Sequence, residues 1–323
     1  MKRRSFLLTT AASVSSLAAY SPLWAQENSP ISIIVPVNAG SGGDASTRVL
    51  ANILSRQLQR PVLVENKPGA DAMIATRYVL NGPTDGTRIL LTSPTNMVIV
   101  PLVDKKTDFN PETQLQPIIT SARGGTALVV KADAYKSLAE FVADAKARPG
   151  IVSLGTYGGH YYKLLALMMQ QELGIKLNTV AYKDPTPAMS DVVGGNINAM
   201  LGDSGGARPF FEAGKTHILA LTNEQRPAVL SSVPTFQELG YPGLTAYIWV
   251  GFAVKAGTSP EIVNRLFQLF SAGLKSKEYL DYMEKSSGGT EVVGFDPEKT
   301  RLYAQEERKR FKALIEKTGY SIN

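Results

Sequence analysis

The chain has 323 residues, a formal net charge of +6, no cysteine and two histidines, His160 and His217. Without cysteine there can be no disulfide, thiolate metal site or cysteine nucleophile, and two histidines disfavour a histidine-based metal site. The charge is small for this length, and the basic residues do not cluster with aromatic ones, so the composition does not indicate a nucleic-acid partner. We expect neither a bound metal nor another cofactor.

The first 25 residues have the pattern of a signal peptide. Three basic residues at positions 2–4 precede a short, mildly apolar stretch, and Ala25 is the small residue before a plausible cleavage site. Residues 3–7, Arg-Arg-Ser-Phe-Leu, also match the twin-arginine pattern, so that route and ordinary secretion are both open. Cleavage after residue 25 lowers the formal charge to +3. Because no other stretch approaches the ~20 apolar residues that span a bilayer, we expect an exported, soluble protein.

Apolar or β-branched runs alternate along the chain with segments of helical period. The predicted strands are 31–37, 61–65, 88–92, 127–131, 151–155, 178–182, 197–201 and 217–222. The predicted helices are 44–60, 72–81, 137–148, 161–173, 187–194, 260–275, 277–285 and 297–317. This alternation is typical of parallel sheets covered by helices, so we predict an α/β protein.

Two breaks in the pattern, near 121–125 and 244–247, suggest the domain boundaries. We expect residues 26–124 to form the first part of lobe 1 and residues 125–247 to form lobe 2. Residues 248–323 are expected to return to lobe 1, because the helices after Pro260 are amphipathic and lack a strand-rich core of their own.

Two glycine-rich loops, each between an apolar run and a helical segment, are the most informative features. The first is Asn-Ala-Gly-Ser-Gly-Gly-Asp at 38–44, and the second is Gly-Thr-Tyr-Gly-Gly at 155–159. The N–H groups that begin a helix have no internal partner and carry a partial positive charge, so such loops are suited to hold an anion. Their separation in sequence predicts a ligand gripped in a cleft between two α/β lobes.

Two other motif matches are weaker. Gly40-x-Gly42-x-x-Ala45 fits the dinucleotide fingerprint, but its first glycine comes too late after the strand for the pyrophosphate to meet the helix directly. The Gly-Asp-Ser-Gly-Gly segment at 202–206 matches the nucleophile motif of chymotrypsin-like proteases. A triad also requires a base, and the alternation of strands and helices does not fit an all-β protease. A secreted hydrolase using Ser204 is kept as the alternative to a non-enzymatic function.

Several blocks, taken in order, resemble the Bug family of periplasmic solute-binding proteins, the receptors of tripartite tricarboxylate transporters. The resemblance covers essentially the whole chain after the signal peptide, and its specificity lies in the order and spacing of the blocks. The blocks are 64–70 (VENKPGA), 83–90 (PTDGTRIL), 182–195, 219–240, 249–251 (WVG) and 256–263 (AGTSPEIV).

This resemblance implies a two-lobe periplasmic-binding-protein fold of type II-like architecture, with a small carboxylate in the cleft between the lobes. It implies no catalysis, a periplasmic location, and delivery of the solute to membrane transporter subunits or to a signalling partner. We expect a monomer. The ligand contacts that it implies, together with candidates noted in the adjacent loops, are Asn38, Ser41, Gly42, Gly43, Asp44, Asp71, Ser93, Thr95, Asn96, Thr156, Tyr157, Gly158, His160, Tyr161, Asp203 and Ser204.

Some of these residues have a second interpretation. Asp44 and Arg48 are spaced so that Asp44 can cap the first helix and pair with Arg48. Tyr157, Tyr161 and Tyr162 can stack on an aromatic ligand or pack the lobe interface. Ser204 can belong to a tight turn that donates a hydrogen bond to the ligand.

Asp71 is the departure from the family pattern with the clearest chemical consequence. The family has a glycine pair where this chain has Asp71 and Ala72, and His160 lies near the second loop. Asp71 and His160 can each also be surface variation without a role in ligand binding. A carboxylate at position 71 disfavours a second carboxylate on the ligand, because two like charges at ~4 Å repel by roughly 4 kcal/mol at an effective dielectric constant of about 20. The three tyrosines near the second loop offer flat apolar surface for a ring. From both features we predict a ligand with one carboxylate and an aromatic or amine-bearing remainder.

Overall fold

The computed structural model of the chain describes residues 29–104, 106–286 and 288–320. The predicted signal peptide lies outside these ranges. The strands are β1 (Ile31–Val35), β2 (Val62–Asn66), β3 (Arg88–Thr92), β4 (Leu115–Lys131), β5 (Ser153–Thr156), β6 (Asn178–Ala181), β7 (Ala199–Asp203), β8 (Thr216–Leu221), β9 (Tyr247–Lys255) and β10 (Glu291–Phe295). The helices are α1 (Gly42–Leu58), α2 (Met73–Leu80), α3 (Val100–Val103), α4 (Pro111–Gln114), α5 (Leu138–Ala147), α6 (His160–Leu173), α7 (Pro185–Gly194), α8 (Ser204–Glu212), α9 (Pro260–Leu274), α10 (Lys277–Ser286) and α11 (Pro297–Thr318).

The described strands form one mixed sheet whose two halves share β4. In the first half, the order is β2-β1-β3-β9-β4, with β10 also paired to β4. In the second half, the order is β4-β7-β5-β6, with β8 also paired to β4. β4 pairs with β9 as far as Gly125 and with β7 from Thr126 onward. The α/β class predicted from the sequence is confirmed.

Parallel pairing sets the positions of the two glycine loops. β1 runs parallel to β2 and β3 in the first half, and β5 runs parallel to β6 and β7 in the second. Each glycine loop therefore follows the carboxyl end of a parallel strand, the edge at which α/β sheets bind ligands.

Apolar side chains on both faces of the sheet form the core. One cluster joins Leu50 of α1, Phe252 of β9 and Phe270 of α9 on the first half. A larger cluster continues from Leu90 of β3 to Leu164 of α6 and Phe311 of α11, and so includes both halves. No helix of the described ranges combines the length and the apolar character needed to cross a bilayer.

The pattern break at 121–125 does not interrupt a strand, because these residues lie inside β4. The glycine pair permits close packing there. A Cβ on Gly125 would overlap the Asn223 Oδ1, and one on Gly124 would lie 2.9 Å from the Thr290 Oγ1. Strands β9 and β10, the first part of β4 and helix α8 were not among the predicted elements.

Candidate functional site

The first glycine loop, residues 38–44, ends in the N-terminus of α1. The Ser41 hydroxyl oxygen caps the helix by accepting the Asp44 N–H at 3.4 Å. Gly42 and Gly43 begin the helix, and their N–H groups have no hydrogen-bond acceptor among the described residues. A Cβ added to Gly42 would have no heavy atom within 4 Å. The helix thus presents unpaired donors beside open space, which is the geometry that an anion requires.

Asp44 is buried, and groups of its own half of the sheet occupy its carboxylate. The oxygens accept the Gly40 N–H at 2.9 Å, the Arg48 Nε–H at 3.0 Å and the Asn66 Nδ2–H at 2.8 Å. Burial alone raises the pKa of Asp44, but these hydrogen bonds outweigh it and the pKa lies below its ordinary value. Of the two roles that the sequence left open, the contacts support capping and pairing with Arg48: Asp44 holds the loop in shape.

The second glycine loop, residues 155–159, connects β5 to α6. Gly158 and Gly159 have φ angles of +66° and +77°, which glycine adopts without the strain that a Cβ brings. α6 begins at His160, and no side chain caps it by a hydrogen bond. Thr156, the second residue of this loop, is buried, and its carbonyl accepts the Tyr182 N–H at 2.8 Å. Unlike the first loop, the second loop therefore ends in a helix N-terminus without a side-chain cap.

Tyr157 connects the second loop to the end of β7. Its Oη donates to the Asp203 Oδ2 at 3.1 Å, accepts the Asp203 N–H at 3.1 Å and lies 2.9 Å from the Tyr162 Oη. Asp203 also caps α8 by accepting the Gly206 N–H at 2.7 Å. Burial, followed by the charge of Asp203, raises the pKa of Tyr157, which therefore remains a neutral phenol.

Tyr161 and Tyr162 are buried and belong to the packing of α6. Their ring centroids are 5.5 Å apart, and the Tyr161 ring lies 5.8 Å from that of Phe311 in α11. The Tyr161 Oη is buried with no hydrogen-bond partner among the described residues. The sequence left open whether these tyrosines stack on a ligand or pack the lobe interface. The contacts of Tyr161 and Tyr162 support packing, whereas Tyr157 is half-buried.

The third loop, residues 93–96, follows β3. Asn96 is fully buried, and its Oδ1 accepts the Ser93 N–H at 2.9 Å, so its side chain shapes the loop. A short π-helical turn at Thr95–Ile99 packs against both the 70–72 segment and α6. The third loop therefore lies where the two halves of the sheet meet.

Asp71 and His160 come from opposite halves and lie against each other. The Asp71 Oδ2 is 3.5 Å from the His160 Nε2, and a Cβ on Gly159 would lie 2.5 Å from the Asp71 Oδ1. On the other side of the imidazole, the His160 Nδ1 is 2.6 Å from the Tyr320 Oη. No sequence pattern pointed to Tyr320, which is 160 positions from its partner.

The structure brings some of the predicted residues together and leaves others apart. Asp71 lies against His160 and Gly159 at the second loop. Tyr157, which belongs to the same loop, contacts Asp203 at the end of β7. No hydrogen bond or ion pair within the described ranges joins the first loop to the second. The first loop is bound instead to α1 and to Asn66 of β2.

Ser204 is buried at the first position of α8, and the two histidines have contacts of their own. His160 lies between Asp71 and Tyr320, and His217 packs its ring 6.2 Å from that of Phe211. Across the described ranges, no group of three or more His, Cys, Asp or Glu side chains is arranged to hold a metal ion.

A cavity of about 290 Å³ opens near α4, the start of β4 and α11. Two arginines line it, and both have carboxylate partners: Arg301 with Glu298 and Arg308 with Glu112. The cavity includes no residue of either glycine loop. We therefore place the candidate site at the loops, where donors are unpaired.

Comparison with known proteins gives consistent matches. The family described as "Tripartite tricarboxylate transporter family receptor" matches residues 46–320. Protein BugT of Bordetella pertussis is 30% identical, over 91% of this chain and 90% of BugT. Among solved structures, the periplasmic binding protein BugD is 28% identical, with a TM-score of 0.78 over 90% of this chain and 98% of BugD. R. palustris Rpa4515 with adipate is 26% identical, with a TM-score of 0.80 over 90% of this chain and 98% of that chain. The predicted periplasmic-binding-protein fold is confirmed.

Proposed function

We propose that this chain, which belongs to the tripartite tricarboxylate transporter family of receptors, binds a small carboxylate at its glycine loops and does no chemistry on it. The observation that carries this proposal is the pair of unpaired N–H groups at Gly42 and Gly43 at the start of α1, with open space beside Gly42. Amide donors at a helix N-terminus satisfy a carboxylate without burying a cationic side chain.

The chemistry of a related structure supports a carboxylate as the ligand. Rpa4515 was solved with adipate, a small dicarboxylate. No hydrogen bond within the described ranges joins His160 to Ser204, and the imidazole lies between Asp71 and Tyr320. Binding followed by release therefore accounts for the site better than hydrolysis does.

The proposal includes the predicted lobes and adds a hinge between them. The lobes are residues 26–124 with 248–323, and residues 125–247. The change of β4 partner from β9 at Gly125 to β7 at Thr126 supports a hinge at the first boundary. Closure of two lobes on a ligand creates a surface that a partner can recognise. We propose that this partner is a membrane transporter subunit, and that the receptor is a periplasmic monomer.

Thermal unfolding with and without carboxylates tests the proposal. A ligand at about 100 times its Kd adds ~2.7 kcal/mol of stability, so mono-, di- and tricarboxylates can be compared at graded concentrations. Gly42→Val should fold normally, because its Cβ meets no neighbour, yet its side chain should cover the donors and abolish the ligand-induced shift.

The matched control is Gly194→Val. Gly194 is the exposed last residue of α7, and α7 ends at the opposite edge of the sheet from the loops. Its variant should retain the full shift. Equal shifts in wild type, Gly42→Val and Gly194→Val would remove the first loop from the site.

A further inference from the structure

Asp71 has an unusual backbone. Ala70, Asp71 and Ala72 have φ angles of +47°, +48° and +72°, and Gly69 before them has +112°. Three consecutive residues with a Cβ in the left-handed region are costly, because the Cβ approaches the backbone carbonyl. Such strain persists only where the surrounding structure enforces it, and it concentrates at functional sites.

The strained segment places the Asp71 carboxylate across the gap between the two halves of the sheet. Asp71 follows β2 in the first half, whereas Gly159 and His160 begin α6 in the second. The carboxylate is near the Gly159 backbone, since a Cβ there would lie 2.5 Å from the Oδ1, and its Oδ2 is 3.5 Å from the His160 Nε2. The Asp71 side chain is 36% exposed, so it also remains open to the gap.

The Asp71 carboxylate is a negative charge at the start of α6, and no ion pair within the described ranges joins it to Lys163. His160 faces it directly, Tyr320 lies behind the imidazole, and Lys163 is on the next turn of α6. Burial lowers the pKa of His160, so the imidazole is mostly neutral at pH 7 and does not cancel the charge of Asp71. A ligand that bridges the first loop and the second would meet this negative charge.

We propose that Asp71 determines ligand specificity: its carboxylate occupies the position at the second loop that the far carboxylate of a dicarboxylate would take. The receptor then selects solutes with one carboxylate, whose other end is uncharged or cationic. This inference rests on the proposed function, because it needs a carboxylate site at the glycine loops. It differs from a purely structural role for Asp71, which would alter stability but not the choice of ligand.

Three matched ligand series separate charge from size. The first is succinate, 4-aminobutanoate and butanoate. The second is adipate, 6-aminohexanoate and hexanoate, and the third is terephthalate, 4-(aminomethyl)benzoate and 4-methylbenzoate. In each series the far end is a carboxylate, an ammonium or a methyl group. Calorimetric titration at pH 7 measures each Kd for wild type, Asp71→Asn and Asp71→Gly, with circular dichroism to confirm folding.

For the series that fits, wild type should bind the dicarboxylate at least about tenfold more weakly than the ammonium and methyl analogues, as expected for a like charge a few ångströms away. Asp71→Asn removes the charge at nearly constant size, and asparagine tolerates the left-handed backbone. This variant should bring the dicarboxylate within about threefold of its analogues, and added salt should weaken the wild-type preference. The control Asp133→Asn removes a carboxylate from an exposed position in the turn after β4 and should preserve that preference.

Two results overturn the inference. If wild type and Asp71→Asn show the same preference among the ligands, the inference about Asp71 is wrong, but the proposed carboxylate-binding function stands. Failure of all nine compounds to bind wild type and both variants overturns it together with the proposed function.

Discussion

The Asn66 side-chain amide donates to the Asp44 carboxylate at 2.8 Å and to the Val37 carbonyl at 3.1 Å, and so joins the end of β2 to the first glycine loop. The Asn66 Oδ1 also accepts from the Arg48 Nη2 at 2.8 Å. The loop is therefore held in shape by its own half of the sheet before any ligand arrives. Such preorganisation lowers the entropy that binding must overcome.

Asn66→Ala should destabilise the protein and weaken ligand binding. It removes three hydrogen bonds and leaves the buried Asp44 carboxylate with fewer donors, which costs about 1–3 kcal/mol. Urea unfolding measures the stability, and calorimetry measures the affinity. The control Asn264→Ala changes an exposed residue of α9 and should leave both within error or slightly raise stability. A loss of the same size in both variants would contradict the role of Asn66.

Asp44 should make the stability fall in acid. Its pKa in the folded protein lies below the ordinary value of 3.8, so its contribution is present above that pH and is lost as the pH falls through the folded pKa. Asp44→Asn should be less stable than wild type at pH 7, and the difference should shrink toward pH 3. Urea unfolding from pH 3 to pH 7 checks this. A constant difference across the range would show that ionisation of Asp44 is not involved.

His160 should give a second pH dependence, closer to neutrality. Burial lowers its pKa below the ordinary 6.5; the charge of Asp71 opposes this and Lys163 adds to it. Between 6.5 and the folded pKa, the unfolded chain binds a proton that the folded protein does not, so stability should fall as the pH drops below about 6.5. His160→Gln should remove this component. The control His217→Gln removes the histidine that packs against Phe211, and a pH profile altered equally by both substitutions would argue against the assignment.

Ser204→Ala tests the hydrolase alternative. Because His160 contacts Asp71 and Tyr320 and no hydrogen bond within the described ranges joins it to Ser204, we expect it not to activate Ser204. Purified wild type and Ser204→Ala should give the same background rate with a generic ester substrate. Turnover by the wild type that the substitution abolishes would contradict the receptor function.

Much of the fold followed from periodicity, and the failures have identifiable causes. α1 was predicted because Leu50, Ile53 and Leu54 recur at helical spacing, and all three are buried. The passage of β4 through Gly124 and Gly125 was missed, because a glycine pair usually marks a turn. Here the glycines are required by the close approach of Asn223 and Thr290, which only the tertiary structure brings there.

The sequence predicted the loops of the candidate site but not the contacts among their residues. The glycine spacing located the unpaired donors at Gly42 and Gly43, since helix N-termini are a local property of the chain. The sequence could not place Asp71 against His160 or His160 against Tyr320, because these contacts join segments of both halves and the C-terminal end of the described chain. The role of Tyr161 as a ligand contact stays a prediction, and its ring packs toward Phe311 in the core.

A crystal structure of the wild-type protein with its tightest-binding carboxylate tests the central claim most directly. We predict a carboxylate oxygen at roughly 3 Å from the backbone nitrogen of Gly42 or Gly43, with the rest of the ligand directed toward the second loop. A carboxylate bound elsewhere, for example in the cavity beside Arg301 and Arg308, with both glycine loops free of ligand, would contradict the account.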